Sequence, residues 1–220
     1  MKKTLIVILF LIITGIELIA QGNLYCATSD NKLWVRPAEQ SNVDWSQIGH
    51  AYSVVTLTGL NDKLYCVTSD NKLWARDAVH NEIDWTQIGH ANSVVALAGV
   101  NDNLYCVTSD NKLWVRKAGP GDLKWNHIGH ANSVVAMAGV NGKLYCVTSD
   151  NKLWVREPVH QDIDWTLIGH ANSVIALAGL NGKLYCVTSD NKLWVRDAVH
   201  NNMDWTQIGH ANGVVGLGAL

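Results

Sequence analysis

SVVAMAGVNGKLYCVTSDNKLWVREPVHQDIDWTLIGH, residues 133–170, holds four short apolar runs: SVVAMAG, KLYCVTS, KLWVRE and DWTLIGH. Each run is short enough for a strand and is bounded by Gly, Asn or Asp. VNGK at 140–143 and SDNK at 149–152 have the composition of hairpin turns, which require backbone conformations that Asn, Asp and Gly tolerate. REPVHQDID carries a proline among polar residues and reads as a longer loop. No segment shows a 3.6-residue apolar rhythm long enough for a helix. Four antiparallel strands in forty residues describe one blade of a β-propeller, a fold of roughly four to eight such sheets around an axis.

The same forty residues recur along the chain. Cys26, Cys66, Cys106, Cys146 and Cys186 mark the period. Two tryptophan series keep step with it: Trp34, Trp74, Trp114, Trp154 and Trp194, then Trp45, Trp85, Trp125, Trp165 and Trp205. A fixed period of this length signals a solenoid, an array or a propeller. With neither linker nor low-complexity tract between units, residues 21–220 read as a single all-β domain, a five-bladed β-propeller of four-stranded antiparallel blades. GNLYCAT near the start matches the second strand of the motif, and GVVGLGA near the end matches the first. The terminal strands are thus expected to share one blade and close the ring, removing its free edges. A ring built from several chains and an open array stand as alternatives. Such similar units also permit strand exchange between chains, which leaves the oligomeric state open.

Residues 1–20 read as a signal peptide, with Lys2 and Lys3 before an apolar run and Ala20 at the cleavage point. The run is short for a membrane span, and an uncleaved anchor stands as the alternative. The expected location is secreted or periplasmic. The chain's formal charge is -2, and removing Lys2, Lys3 and Glu17 makes it -3. That balance gives no reason to expect nucleic acid or an anionic membrane as partner.

The five cysteines sit a blade apart, beyond the reach of a disulfide, and read as small buried fillers. Nothing in the Cys and His spacing builds a metal site, and no cofactor is expected. No unit carries a nucleophile, base and orienter that the others lack, so the chain is not expected to be an enzyme. The polar residues are instead copied in nearly every unit, as suits several equivalent sites acting by multivalency. The tryptophans are either blade-to-blade wedges or stacking surfaces. Strand order places the SDN turn and the GHANS connection on one rim. Asp30, Asp70, Asp110, Asp150 and Asp190 fall there, beside Asn31, Asn71, Asn111, Asn151 and Asn191. So do His50, His90, His130, His170 and His210, with Asn92, Asn132, Asn172 and Asn212. Turn structure and ligand contact both explain such residues. Arg36, Arg76, Arg116, Arg156 and Arg196 follow the first tryptophans by two residues, to stack there or pair with Asp. The bridges such as REPVHQDID are expected on the opposite rim. Three departures stand out: Tyr52 in place of Asn, Lys124 in place of Asp, and Gly213, Gly216 and Gly218 on the last strand, where glycine weakens a strand.

The combined motif LY-x-x-T-x-D-x-x-LW-x-R with W-x-x-IG, five times over residues 22–220, resembles the tectonin family of β-propeller lectins. The chain is similar, more distantly, to the horseshoe-crab tachylectin propeller. The resemblance implies recognition of surface glycans, including microbial polysaccharide or lipopolysaccharide, at pockets between neighbouring blades. Any membrane association would then run through bound glycans. A tryptophan would stack on a sugar ring while Asp and Asn bond its hydroxyls. The Asp, Asn, Trp, Arg and His series above are the candidate positions. The alternative is a protein-binding propeller scaffold without sugar specificity.

Overall fold

The computed structural model describes residues 22–39, 41–199 and 203–220. The signal-peptide assignment lies outside them. Twenty strands form five four-stranded antiparallel sheets. The first blade holds β1 (Asn23–Thr28), β2 (Lys32–Pro37) and β3 (Ser46–His50). The second runs β4 (Val54–Leu60), β5 (Lys63–Thr68), β6 (Lys72–Asp77) and β7 (Thr86–His90). The third has β8 (Val94–Val100), β9 (Asn103–Thr108), β10 (Lys112–Lys117) and β11 (Asn126–His130). In the fourth are β12 (Val134–Val140), β13 (Lys143–Thr148), β14 (Lys152–Arg156) and β15 (Thr166–His170). The fifth contains β16 (Val174–Leu180), β17 (Lys183–Thr188), β18 (Lys192–Asp197) and β19 (Thr206–His210), after which β20 (Val214–Ala219) returns to the first.

β20 pairs with β1 from Leu24 opposite Ala219 to Thr28 opposite Val214, completing the first blade in the order β20-β1-β2-β3. Asn23 N–H donates to Leu220 O at 2.6 Å and Leu220 N–H to Asn23 O at 3.0 Å. The expected closure is therefore present.

Turn chemistry sets the register. The inner hairpins place two consecutive residues at positive φ, as at Asn141 (51°) and Gly142 (70°). This is the backbone twist that suits a two-residue hairpin. The outer turn needs one such residue, Asn31 at φ 65° and its counterparts. Alternation then sends neighbouring side chains to opposite faces. Tyr145 and Val147 face one way and pack with Leu184 and Cys186, which leave the next blade in the other direction. Five such clusters fill the five junctions, so both faces of each blade are buried. All five cysteines are buried and free, filling the seams as expected.

β4, β8, β12, β16 and β20 lie side by side around the axis. The closing strand's glycines have a packing reason that the repeat alone does not show. Thr56 and Thr58 on β4 stand where the next three inner strands carry alanine. Gly216 and Gly218 on the adjoining β20 lie against the backbone of Thr56, Leu57 and Thr58, where an added Cβ would come within 2.8–3.0 Å. The glycines let the backbones approach at this seam.

Candidate functional site

The rim bearing the SDN turns carries five pockets, one per blade, of about 370 to 620 Å³. On the first blade, Trp34 sits on β2 opposite Cys26 of β1. Its indole N–H donates to Thr28 Oγ1 at 3.2 Å. The Thr28 hydroxyl in turn donates to Asp30 Oδ1 at 2.5 Å, and Lys32 Nζ lies 2.7 Å from Asp30 Oδ2. The relay recurs on every blade: Trp74, Trp114, Trp154 and Trp194 each reach their threonine at 3.1 Å. The second tryptophan stands just before the outer strand and reaches across to the preceding blade. Trp85 donates to His50 O at 2.9 Å, Trp125 to His90 O at 2.8 Å, and Trp165 to His130 O at 3.0 Å. Trp205 and Trp45 do the same with His170 O and His210 O.

Both indole N–H groups are thus satisfied within the protein, and ring faces remain to line the pocket. Both tryptophans of a blade are partly buried and pack against the seam cluster, as Trp194 and Trp205 do. They are wedge and pocket wall together.

Beneath the second tryptophan lies the arginine. Arg36, Arg76, Arg116, Arg156 and Arg196 are buried, with the guanidinium 5.5–5.8 Å from the centroid of Trp45, Trp85, Trp125, Trp165 and Trp205. Arg116 donates to the carbonyls of Lys117, Gly119 and Gly121, and Arg76 to those of Asp77, Val79 and Asn81. Burial lowers their pKa values without removing the charge. The arginines pin the bridge and support the tryptophan from behind, outside the pockets.

The structure separates the SDN residues. Asn31 Oδ1 accepts the Ser53 N–H at 3.0 Å, and Asn71, Asn111, Asn151 and Asn191 do the same for Ser93, Ser133, Ser173 and Gly213. These asparagines tie two turns of the rim together and do not line the pockets. Asp30, Asp70, Asp110, Asp150 and Asp190 do line them, as do Asn92, Asn132, Asn172 and Asn212. The Asp70, Asp110, Asp150 and Asp190 carboxyls are held at about 2, first by the hydrogen bond from the following lysine and then by that from threonine. Each pocket therefore keeps the carboxylate of its relay Asp ionised.

His50 lines the second blade's pocket with Glu82 beside it, Nδ1 to Oε1 at 2.7 Å. His90 and His130 approach Asp122 and Asp162 at 4.0 and 3.3 Å, while His170 and His210 contribute carbonyls to the rim. The bridges were expected on the opposite rim: their first residues lie there, with Ala78 N–H donating to Asp62 O of the inner hairpin turn, but their later residues do not. The bridge folds back along its own blade, against the preceding blade, so that Glu82, Ile83 and Asp84 line one pocket and Asp164 another. The repeated Asp before the second tryptophan was the available signal. The threonine, serine and cysteine of each YCVTSD stretch are pocket residues too, hidden in the sequence as strand and turn.

Solved structures share this architecture. A symmetrical protein described for its de novo evolutionary emergence superposes with a TM-score of 0.69 at 18% identity, covering 89% of this chain and 97% of that one. A nidogen/laminin complex gives 0.59 at 13% identity, over 90% and 97% of the two chains. Glutaminyl cyclase from Myxococcus xanthus gives 0.55 at 16%, over 78% and 73%. At these identities the likeness speaks for the fold alone. No curated protein matches the chain. A family profile described as outer membrane protein assembly factor BamB matches residues 13–132, more than half of the sequence. The chain belongs to the family of the outer membrane protein assembly factor BamB.

Proposed function

We propose that the protein is a non-enzymatic, extracytoplasmic propeller scaffold that binds a repetitive partner through five copies of one rim pocket. The observation that carries this is the pocket itself, built five times from the same Thr–Asp–Lys relay and paired indoles. Copies of a weak site gain strength only when a partner engages several at once. An assembly factor's name describes a binding role and not a reaction, and it suits a location beyond the cytoplasm.

Two partner classes fit. The comparisons favour a protein: the family is that of an assembly factor, and the nidogen structure is by its title a complex with laminin. The pocket's chemistry favours the finer reading, a surface glycan. Partly exposed indole faces suit the apolar side of a sugar ring, and an ionised Asp with an Asn amide suits its hydroxyls. This reading is the one that the tectonin-like motif implies.

A glycan array and a cross-linking pull-down, run on the same protein, separate the two. Hits sharing one terminal sugar, with a stoichiometry near five, support the glycan reading. Trp74→Ala should then weaken one site in five while the protein stays folded. A single stacking contact of about 1 kcal/mol weakens that site several-fold. Protein capture with a blank array sinks the glycan and leaves the scaffold.

A further inference from the structure

The pocket of the second blade departs from the other four. The turn before β4 carries Tyr52 where the equivalent turns have Asn92, Asn132, Asn172 and Asn212. The turn does not require it, because the residue at positive φ is the next one, Ser53 at 54°. Tyr52 is 66% exposed, the most exposed large apolar or aromatic side chain among the described residues. Its ring is not loose, however. It stacks on His50 with centroids 5.8 Å apart and planes 8° from parallel. His50 is itself fixed by Glu82, Nδ1 to Oε1 at 2.7 Å. Tyr52, His50, Glu82 and Asp84 all line this pocket together with Trp74 and Trp85, at about 620 Å³. The fourth blade's pocket is nearly as large at about 600 Å³ and has no such ring. What distinguishes the second site is thus aromatic surface and not volume.

We propose that Tyr52, braced by His50 and Glu82, forms an added aromatic subsite at the second blade's pocket, taking a second ring of a glycan chain whose end ring occupies the shared pocket. This rests on the glycan reading above. A tyrosine offers a flat apolar face and a hydrogen-bonding tip while losing few rotamers on binding. Stacking on a held imidazole means that much of the ordering cost is met before ligand arrives. One ring face lies on His50, and the exposed area is left for the ligand. The other four pockets end at an asparagine, which can hydrogen-bond a hydroxyl but cannot stack. For a monosaccharide the second site differs from the other four only by the missing Asn amide, and for an oligosaccharide it gains a stacking surface that they lack.

The experiment is calorimetric titration with matched pairs of probes: mannose and mannotriose, N-acetylglucosamine and chitotriose, glucose and maltotriose. In a pair that binds, the monosaccharide should fill four equal sites in the wild type with the second blade's no tighter than these, and five equal sites in Tyr52→Asn. The trisaccharide should show one wild-type site at least about fivefold tighter than the rest, lost in Tyr52→Asn and kept in Tyr52→Phe. Asn132→Tyr should create a second tight site, because His130 and Asp162 already stand in the required places. Five equal trisaccharide sites in the wild type, or a tight site that survives Tyr52→Asn, overturns the subsite and leaves the glycan reading intact. Failure of every probe, and of the array, with folded protein overturns both.

Discussion

At the level of single residues, the relay Trp–Thr–Asp–Lys decides how the pocket holds its shape. Asp70 keeps its charge because Lys72 and Thr68 donate to it, which lowers its pKa to about 2 from the ordinary value near 4. A depressed folded-state pKa contributes stability that is complete above the unfolded value and lost as pH falls through the folded one. The turn should therefore stay intact from neutrality to about pH 3 and loosen near pH 2. Carbon-detected NMR of the aspartate carboxyls should show Asp70, Asp110, Asp150 and Asp190 titrating near 2; midpoints near 4 would mean that the lysine and threonine do not hold them. Tryptophan fluorescence should follow, since the same threonine accepts the indole N–H. Much of this residue-scale order was legible in TSDNK as a turn. The division of labour inside it was not, because Asp and Asn serve turns and ligands alike. Only the fold shows that Asn71 spends its carbonyl on Ser93 N–H while Asp70 faces the pocket. The arginines misled for a related reason. Alternation puts Arg76 on the strand face of Trp74, but Trp85, arriving from the bridge, covers it.

Elements were legible wherever side chains alternate and turns have strict backbone needs. KLYCVT and KLWVR could be little else than strands, and their faces divide in the structure as alternation requires. The bridges have no period, so nothing in them fixed their path, and they proved to run back to the pockets they were expected to avoid. The inner strands carry a further constraint that alternation does not announce. Gly59, Gly99, Gly139 and Gly179 recur near the end of β4, β8, β12 and β16, each against the neighbouring strand's backbone or side chain. A Cβ on Gly139 would stand 2.1 Å from Gly99 O, and one on Gly179 would stand 2.5 Å from Gly139 O. Neither neighbour is a flexible side-chain tip that could move aside. Gly139→Ala should cost about 1–3 kcal/mol through overpacking. For a protein of this size that lowers Tm by several degrees, readable by circular dichroism or calorimetry. An unchanged melting temperature would show that the inner strands have room to part.

For the whole molecule, counting the repeats gives five blades, and the β20–β1 pairing decides for the expected closure over a multi-chain ring or an open array. Counting also showed Tyr52 and Lys124 as exceptions, but not what they border, since a repeat register says which positions correspond and not which ones touch across a seam. The closing strand joins residues about 190 apart, and the entropy of bringing such distant segments together is repaid only by the β1–β20 pairing and its packing. Leu217 and Ala219 belong to the cluster that includes Leu24, Cys26, Tyr185 and Val187, so the strand fills a core as well as an edge. Deleting residues 213–220 should therefore do more than fray one end. It leaves β1 with an unpaired edge able to recruit another chain, and opens two seams at once, because β20 also packs beside β4 and β16. The truncated protein should lose the full chain's cooperative transition in chemical denaturation and elute as a larger oligomer or as unfolded chain in size-exclusion chromatography with light scattering. A circular permutant tests whether strand or connectivity matters. Joining Leu220 to Gly22 by a short linker and opening the chain before Val54 keeps every strand pair and turns the β20–β1 seam into an ordinary hairpin. That permutant should stay folded and keep the full chain's oligomeric state. If the truncated chain kept the full chain's transition and elution, the ring would be held by its other three seams. If the permutant failed while all pairings were preserved, the order in which the strands meet would be what the fold depends on.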